Sequence, residues 1–225
     1  MMYHSVDYIE KSLPNNINPS NFAWQMDFLK KHGYRVLSLD ELVRAIESGR
    51  RLQRKSVVIT FDDGYDNNYT YAFPILKSHG FPATIFCIAG TVGEKGYITW
   101  EQLREMERSG IAIGSHTANH VYLPGVPESD QRYQIWESKR ILEERLEHPV
   151  DFFCYPSGGF NEKIKELVKQ AGYRAAYTTN RGFDLSGRDI YELKRIRFGN
   201  KDSAMSMRFK LWGFNNFFKG PTEPN

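Results

Sequence analysis

The chain has 225 residues, of which 40% are hydrophobic and 25% are charged. This length and composition indicate a folded protein with a sizeable core, and they exclude a mainly disordered chain. Thirty Lys and Arg against 27 Asp and Glu give a formal net charge of +3, which is too small to indicate a nucleic-acid-binding protein. No apolar stretch approaches the roughly 18 residues that span a bilayer. The first residues show no secretion signal, although removal of a leader would leave the same N-terminus.

The two cysteines, Cys87 and Cys154, each lie inside an apolar run typical of a strand. We therefore expect two buried free thiols, with a single disulfide as the alternative. Neither residue belongs to a Cys-x-x-Cys pair, which excludes a zinc–cysteine site.

Strand-like and helix-like segments alternate along the chain. Apolar runs predict strands over residues 1–4, 34–37, 56–61, 83–88, 111–114, 150–155, 174–178 and 193–198. Apolar spacing and end signals predict helices over residues 22–32, 39–48, 67–78, 100–109, 128–147 and 161–171, with a polar loop over 11–21. This alternation, with short connections, predicts a parallel α/β sheet with helices outside, either a barrel or a doubly wound sheet. We predict one domain over residues 1–207, followed by an aromatic and basic segment over 208–225.

Two acidic residues, Asp62 and Asp63, follow the predicted strand 56–61 directly. Adjacent carboxylates at the end of a buried strand repel each other unless a metal ion or a cation relieves the repulsion. A helix cap followed by a turn is the alternative, because Asp-Asp-Gly is a common turn composition.

Two histidines, His116 and His120, follow the predicted strand 111–114. Side chains at positions i and i+4 share one face of a helical turn and can hold one metal ion. Parallel strands place such segments at the same edge of the sheet, where α/β folds have their sites. Two histidines and a carboxylate, with open coordination positions, are typical of hydrolytic metal sites.

The chain resembles the polysaccharide deacetylases, carbohydrate esterase family four, in two paired motifs: TFDDG at 60–64 and SHTANH at 115–120. The resemblance covers residues 1 to about 197 and implies a distorted (β/α) barrel, incomplete, with seven or eight strands and helices outside. It implies that Asp62 is the general base. It also implies that Asp63, His116 and His120 bind one divalent metal, usually zinc, with Co, Ni or Mn as alternatives.

The third family motif is altered in this chain. Where the family has an Arg-x-Pro-Tyr-like sequence, this chain has FCYPSG at 153–158, so that Cys154 stands at the arginine position. The backbone N–H of Ser157 matches the family's donor to the oxyanion. Arg195 or Arg197 is the candidate replacement for the missing cation, against the alternative that both are solvated surface charges.

The family's C-terminal Leu-x-His motif, whose histidine is the general acid, has no counterpart here, since no histidine follows His148. A subgroup that includes the biofilm poly-N-acetylglucosamine deacetylases carries this histidine in an N-terminal Met-Tyr-His motif, and residues 2–4 match it. The resemblance therefore implies that His4 is the general acid. Capping of predicted helix ends accounts for His32, His79 and His148.

The activity implied by the resemblance is metal-dependent removal of N-acetyl groups from amino sugars of a polysaccharide. Poly-N-acetylglucosamine, a chitin-like polymer and peptidoglycan are the candidate substrates. A catalytically impaired carbohydrate-binding domain and a deacylase of a small amide are the alternatives. The resemblance implies an extracellular or cell-envelope location, whereas the residues themselves leave the cytoplasm open. The sequence indicates no oligomeric state.

Overall fold

The structure is a computed structural model that describes residues 1–8, 15–182 and 189–212. The strands are β1 (Met2–Tyr3), β2 (Ser5–Val6), β3 (Asn16–Ile17), β4 (Arg35–Val36), β5 (Ser56–Val57), β6 (Thr60–Phe61), β7 (Ala83–Cys87), β8 (Ile111–Ser115), β9 (Phe152–Cys154) and β10 (Ala175–Tyr177). The helices are α1 (Pro19–Lys31), α2 (Leu39–Glu47), α3 (Phe73–His79), α4 (Trp100–Arg108), α5 (Glu128–Leu146), α6 (Glu162–Gln170) and α7 (Ala204–Trp212). Within these ranges no helix is long and apolar enough to cross a membrane.

Six parallel strands form the central sheet in the order β1-β6-β7-β8-β9-β10. Every residue of β7 is buried, as the near-continuous apolar run 83–88 predicts for a strand covered on both faces. Because all six strands run the same way, their carboxyl ends share one edge of the sheet. The predicted α/β class, with a curled parallel sheet and helices outside, is confirmed.

Residues 193–198, predicted as a final strand, connect the two edges of this sheet. Leu193 forms a bridge with Tyr177 on β10, and Arg197 forms a bridge with Met2 on β1. The segment does not form a continuous strand, because its two ends pair with different neighbours. It nevertheless links β10 to β1 and carries the buried side chain of Arg195 across the gap between them.

The run 56–61, predicted as a single strand, is divided into β5 and β6. β5 pairs with β4, whereas β6 pairs with β1 and β7. The hydrophobic pattern is the same in both halves, so the sequence gives no signal for the change of partner. β6 then ends directly before Asp62.

Strand β1 is fixed by aromatic packing around Tyr3. The Tyr3 ring lies 5.1 Å from the Phe22 ring and 5.5 Å from the Phe61 ring, between ring centroids. Its hydroxyl donates a 2.6 Å hydrogen bond to Gln25 Oε1. Buried aromatic pairs of this kind add about 0.5–1.5 kcal/mol beyond the burial of their area. The N-terminal strand is therefore part of the core, and it holds the next residue, His4, in place.

Three helix boundaries test the sequence signals. Helix α4 begins after Thr99, whose side chain and that of Gln102 form the predicted capping box. A π-helical turn at 68–72 precedes α3 where Pro74 predicted an irregularity. The prediction for α1 was wrong by three residues. Asn18 caps it and Pro19 occupies its first turn, so the helix begins inside the predicted loop 11–21.

Helix α7 crosses the predicted boundary between residues 207 and 208. Met207 is fully buried, so this helix is attached to the rest of the fold through at least one core side chain. Residues 213–225, which make up most of the predicted C-terminal segment, lie outside the described residues. The division into 1–207 and 208–225 stays a prediction.

Candidate active site

Asp62 forms a buried ion pair with Arg195. The carboxylate is 2% exposed, and it accepts two parallel hydrogen bonds, 2.6 Å from Nη1 to Oδ1 and 2.7 Å from Nη2 to Oδ2. Burial alone raises the pKa of the Asp62 carboxyl, but the adjacent guanidinium outweighs burial and holds the pKa well below its usual range. Asp62 is therefore ionised at neutral pH.

The Arg195 guanidinium uses all five of its N–H groups. Besides the two bonds to Asp62, it donates to the Thr178 carbonyl (3.0 Å), to Thr60 Oγ1 (3.0 Å) and to Cys154 Sγ (3.0 Å). Because the guanidinium is planar and all of its N–H groups are hydrogen-bonded, it is held in one orientation. Arg195 therefore fixes the plane of the Asp62 carboxylate. Arg197 is exposed, so Arg195 is the member of the predicted pair that reaches the site.

Asp63, His116 and His120 converge on one point beside this ion pair. Asp63 Oδ1 lies 3.5 Å from His116 Nε2 and 3.4 Å from His120 Nε2. One ligand atom from each residue lies within 4.8 Å of the other two. Metal–ligand bonds of about 2.0–2.2 Å at tetrahedral angles separate two ligand atoms by about 3.4 Å. The donor set and its spacing therefore fit a divalent metal ion.

The ring of His116 is oriented by the neighbouring strand. Its Nδ1 donates a 2.7 Å hydrogen bond to the Cys154 carbonyl, which leaves Nε2 unprotonated and directed toward Asp63. Burial lowers the pKa of His116 to about 4, so the ring is neutral at physiological pH. A neutral imidazole with a fixed tautomer is the form that binds a metal ion.

Backbone strain is concentrated at this edge of the sheet. Of the five non-glycine residues with positive φ in the described chain, four lie here: Asp63, Thr117, His120 and Ser157. Each such conformation costs on the order of 1–3 kcal/mol and persists only where the surroundings impose it. The positive φ values of Thr117 and His120 belong to a turn, and not to the regular helix that the spacing of the two histidines predicted.

His4 lies next to Asp62, as expected for a strand beside β6. Its Nε2 is 3.8 Å from Asp62 Oδ2, and 11% of its side chain is exposed. Burial lowers the pKa of His4, against the opposing negative charges of Asp62 and Asp63. His32, His79 and His148 lie elsewhere, at helix ends or on the surface, where they contact backbone carbonyls or carboxylates. The N-terminal histidine thus joins His116 and His120 at the site.

Ser157 occupies a tight turn directly after β9. Its φ is +54°, and Gly158 follows with φ of +75°. Within the described residues, the Ser157 N–H donates no hydrogen bond, so it is available to an acceptor in the site. The turn is held on its far side by Thr179, whose hydroxyl donates to the Ser157 carbonyl at 3.4 Å.

Three residues have contacts in the site that the sequence does not predict. Cys154, the buried thiol at the position of the missing arginine, has its sulfur 3.7 Å from Asp62 Oδ1 and accepts from Arg195. Burial, Asp63 and a hydrogen bond from its hydroxyl to Asp63 raise the pKa of Tyr65 to about 12. Gln134 on α5 holds the histidine loop by accepting from the Asn119 N–H at 2.8 Å. Cys154 had a signal in the altered third motif, and Gln134 had one as a polar residue on the buried face of a helix, whereas Tyr65 had none. Both cysteines are buried and free, as predicted.

Comparison with known proteins identifies the family. Residues 49–176 match the family profile described as polysaccharide deacetylase. YxkH of Bacillus subtilis, which carries a polysaccharide deacetylase assignment, is 34% identical over 88% of this chain and 70% of its own. This chain belongs to the polysaccharide deacetylase family.

Two further relatives of this polysaccharide deacetylase lie close to it along most of the chain. The poly-β-1,6-N-acetyl-D-glucosamine N-deacetylase of Staphylococcus aureus is 27% identical over 89% of this chain and 73% of its own. The Streptococcus pyogenes deacetylase PplD, solved in complex with acetate, superposes with a TM-score of 0.88 at 28% identity, over 94% of this chain and 96% of that one. The fold and the family membership thus extend well beyond the matched profile.

The glycine after Ser157 leads to the first prediction. A Cβ on Gly158 would lie 2.0 Å from Thr179 Oγ1, and its positive φ disfavours any side chain. We expect Gly158→Ala to displace the Ser157 N–H and to lower deacetylase activity by about 10²-fold or more, the usual loss for an oxyanion donor. Initial rates of acetate release measure this loss. Gly33→Ala is the control, because Gly33 also has positive φ but no atom within 4 Å of its Cβ position. Parental activity in Gly158→Ala would contradict the role given to the turn.

Proposed function

We propose that this polysaccharide deacetylase uses one divalent metal ion, most simply zinc, to remove acetyl groups from N-acetylglucosamine units of a polymer. The observation that carries the proposal is the convergence of Asp63, His116 and His120 beside an Asp62 carboxylate clamped by Arg195. The relative from S. aureus, named for poly-β-1,6-N-acetyl-D-glucosamine, supports that polymer as the first substrate to test.

The metal ion would be held by Asp63 Oδ1 and the Nε2 atoms of His116 and His120, with positions left for water and substrate. When bound, a divalent cation there supplies Lewis acidity toward the acetamide oxygen and lowers the pKa of a water molecule. Asp62 is not a ligand in this proposal, although it lies near His116, because both of its oxygens already accept from Arg195.

Asp62 then acts on the attacking water as a general base. Its carboxylate is ionised before the reaction and its plane is fixed, so it can accept the water's proton without reorganisation of the site. As negative charge develops on the acetamide oxygen, the Ser157 N–H donates to it. His4 gives a proton to the leaving amine, without which the intermediate returns to the amide. Its 3.8 Å separation from Asp62 Oδ2 is close enough for both groups to reach one substrate.

The alternative of a catalytically impaired sugar-binding domain rests on the missing motif arginine. The ion pair of Arg195 with Asp62 argues against that alternative, since it supplies a cation to Asp62 from a different segment of the chain. A deacylase of a small amide would use the same catalytic groups, so the substrate experiment decides between a polymer and a small amide as the substrate. For a polymer substrate we propose the cell envelope or the exterior as the place of action.

The decisive experiment is acetate release from N-acetylglucosamine oligomers and from small N-acetyl amides. The protein is assayed as purified, after chelation, and after return of zinc, cobalt, nickel or manganese. We expect release from oligomers, loss on chelation and recovery with metal. His116→Ala should lose bound metal in elemental analysis, whereas His79→Ala, with its ring on Asp27, should retain it. Activity that resists chelation, or a metal content unchanged in His116→Ala, would refute the metal proposal.

His4 gives the second prediction. An amine is a poor leaving group without a proton, whereas the alcohol of an acetate ester leaves more readily. We therefore expect His4→Ala to lose about 10²-fold or more on amide substrates and clearly less on a small acetate ester. The two kcat/KM ratios to the parent measure this difference. An equal loss on amide and ester would argue that His4 supports the site and does not donate the proton.

A further inference from the structure

Tyr122 is an exposed aromatic residue beside the active site that the mechanism above does not use. It follows His120 by two residues in the loop between β8 and α5, and it remains 37% exposed. Some other exposed aromatic residues of the described chain lie on helices and not in the loops of the site, for example Tyr133 on α5 and Trp24 on α1.

The Tyr122 ring lies directly on the backbone of the loop that carries the Ser157 N–H. A Cβ on Gly159 would lie 2.3 Å from Tyr122 Cε2 and 2.7 Å from Cδ2, which only a glycine permits. On the other side, a Cβ on Gly125 would lie 3.3 Å from Tyr122 Cδ1. The ring therefore extends from the loop of a metal ligand to the loop of the oxyanion donor, and the backbone holds it in place.

An aromatic ring in this position can stack on the face of a sugar ring that presents C–H groups. Apart from Tyr65, whose hydroxyl bonds Asp63, the groups described above are charged, polar or backbone groups. They can orient an acetamide but offer little apolar surface to the pyranose. Aromatic faces carry negative charge density that attracts the slightly positive C–H groups of such a ring. Because the tyrosine is already packed against two glycines, it loses little side-chain freedom when a sugar covers it.

We propose that Tyr122 is a stacking platform for a sugar unit next to the one being deacetylated, so that chains bind better than monosaccharides. The inference rests on the proposed function and deepens it, since it makes a polymer, rather than a small amide, the preferred substrate. The polar groups around the metal site hold the acetamide, and Tyr122 holds the neighbouring ring of the chain.

The experiment compares the parent with Tyr122→Leu and Tyr122→Phe. Substrates are N-acetylglucosamine, its oligomers from dimer to pentamer, and a small acetate ester, with kcat and KM measured separately. Tyr122→Leu should raise KM for the pentamer about tenfold, a loss of about 1.4 kcal/mol in binding. Its kcat on the ester should be unchanged. Tyr122→Phe keeps the ring and should keep the parental KM for the pentamer. Trp24→Leu, which removes an exposed aromatic side chain of α1, is the control and should leave all constants unchanged.

Two outcomes would refute the stacking role of Tyr122 and leave the proposed function unaffected. A fall in kcat on every substrate, the ester included, would mean that the ring only supports the Ser157 loop. A KM change that is equal for the monomer and the pentamer, or no change at all, would mean that no sugar stacks there. A parent protein that releases no acetate from any oligomer would instead overturn the proposed function, and the platform with it.

Discussion

Replacing Asp62 with asparagine should lower the rate of acetate release by about 10²-fold or more, the usual range for loss of general acid–base help. The amide cannot accept the proton of the attacking water. Its nitrogen also faces an Arg195 N–H that donates at 2.6 or 2.7 Å in the parent, so one of the two parallel hydrogen bonds is lost. The bound metal should remain, because Asp62 is not one of the proposed ligands. Rates and elemental analysis on the same sample measure both effects.

The adjacent residue provides the matched control for this prediction. Asp63→Asn removes the same charge one position along the chain, but from the group that lies 3.4–3.5 Å from both histidine nitrogens. We expect this variant to lose metal as well as activity. Loss of either carboxylate would then lower activity, but only loss of the Asp63 carboxylate would also remove the metal. Near-parental activity in Asp62→Asn, or loss of metal from it, would refute the separation of base and ligand.

The local parts of this fold could be predicted from the sequence. The capping pair Thr99 and Gln102 and the apolar run 83–88 act through neighbours in the chain, and they gave the correct element. The two wrong predictions have different causes. Run 56–61 divides because its two halves pair with different strands, which lie far away in the chain. The start of helix α1 depends on a local cap, Asn18, but this cap lies inside a stretch whose composition is that of a loop.

The residues of the candidate site also fall into those that the sequence predicts and those that it does not. Asp62, Asp63 and the two histidines stand in short motifs, each after a strand, so their convergence follows from parallel strands sharing an edge. The choice between Arg195 and Arg197 could not be made from sequence. It depends on which side chain points inward from an irregular segment pairing with β10 at one end and β1 at the other. Tyr122 had no signal, since its contact with Gly159 crosses between two loops.

Replacing Arg195 with methionine should cost both stability and activity. Both partners of the ion pair are only 2% exposed, so the variant leaves a charged carboxylate buried without its cation. Removing one partner of a buried pair typically costs about 3–5 kcal/mol of unfolding free energy. Without its donor fork, the Asp62 carboxylate also loses its fixed plane, and deacetylation should fall by about 10²-fold or more. Denaturant unfolding and initial rates measure the two losses. Arg140→Met, at an exposed arginine of α5, is the control and should change neither.

A second substitution separates the contribution of the ion pair to stability from its contribution to activity. Combining Arg195→Met with Asp62→Leu removes both charges, and replacing a buried pair by apolar side chains is often neutral for stability. We expect the double variant to recover much of the stability lost in Arg195→Met, but none of the activity, because the base itself is gone. Such non-additivity is what a direct interaction between contacting residues produces. The pair would then serve to keep an ionised base in position, at no net gain to the fold. Parental stability and activity in Arg195→Met alone would exclude this role. Arg195 would then not be a replacement for the arginine that the third motif lacks.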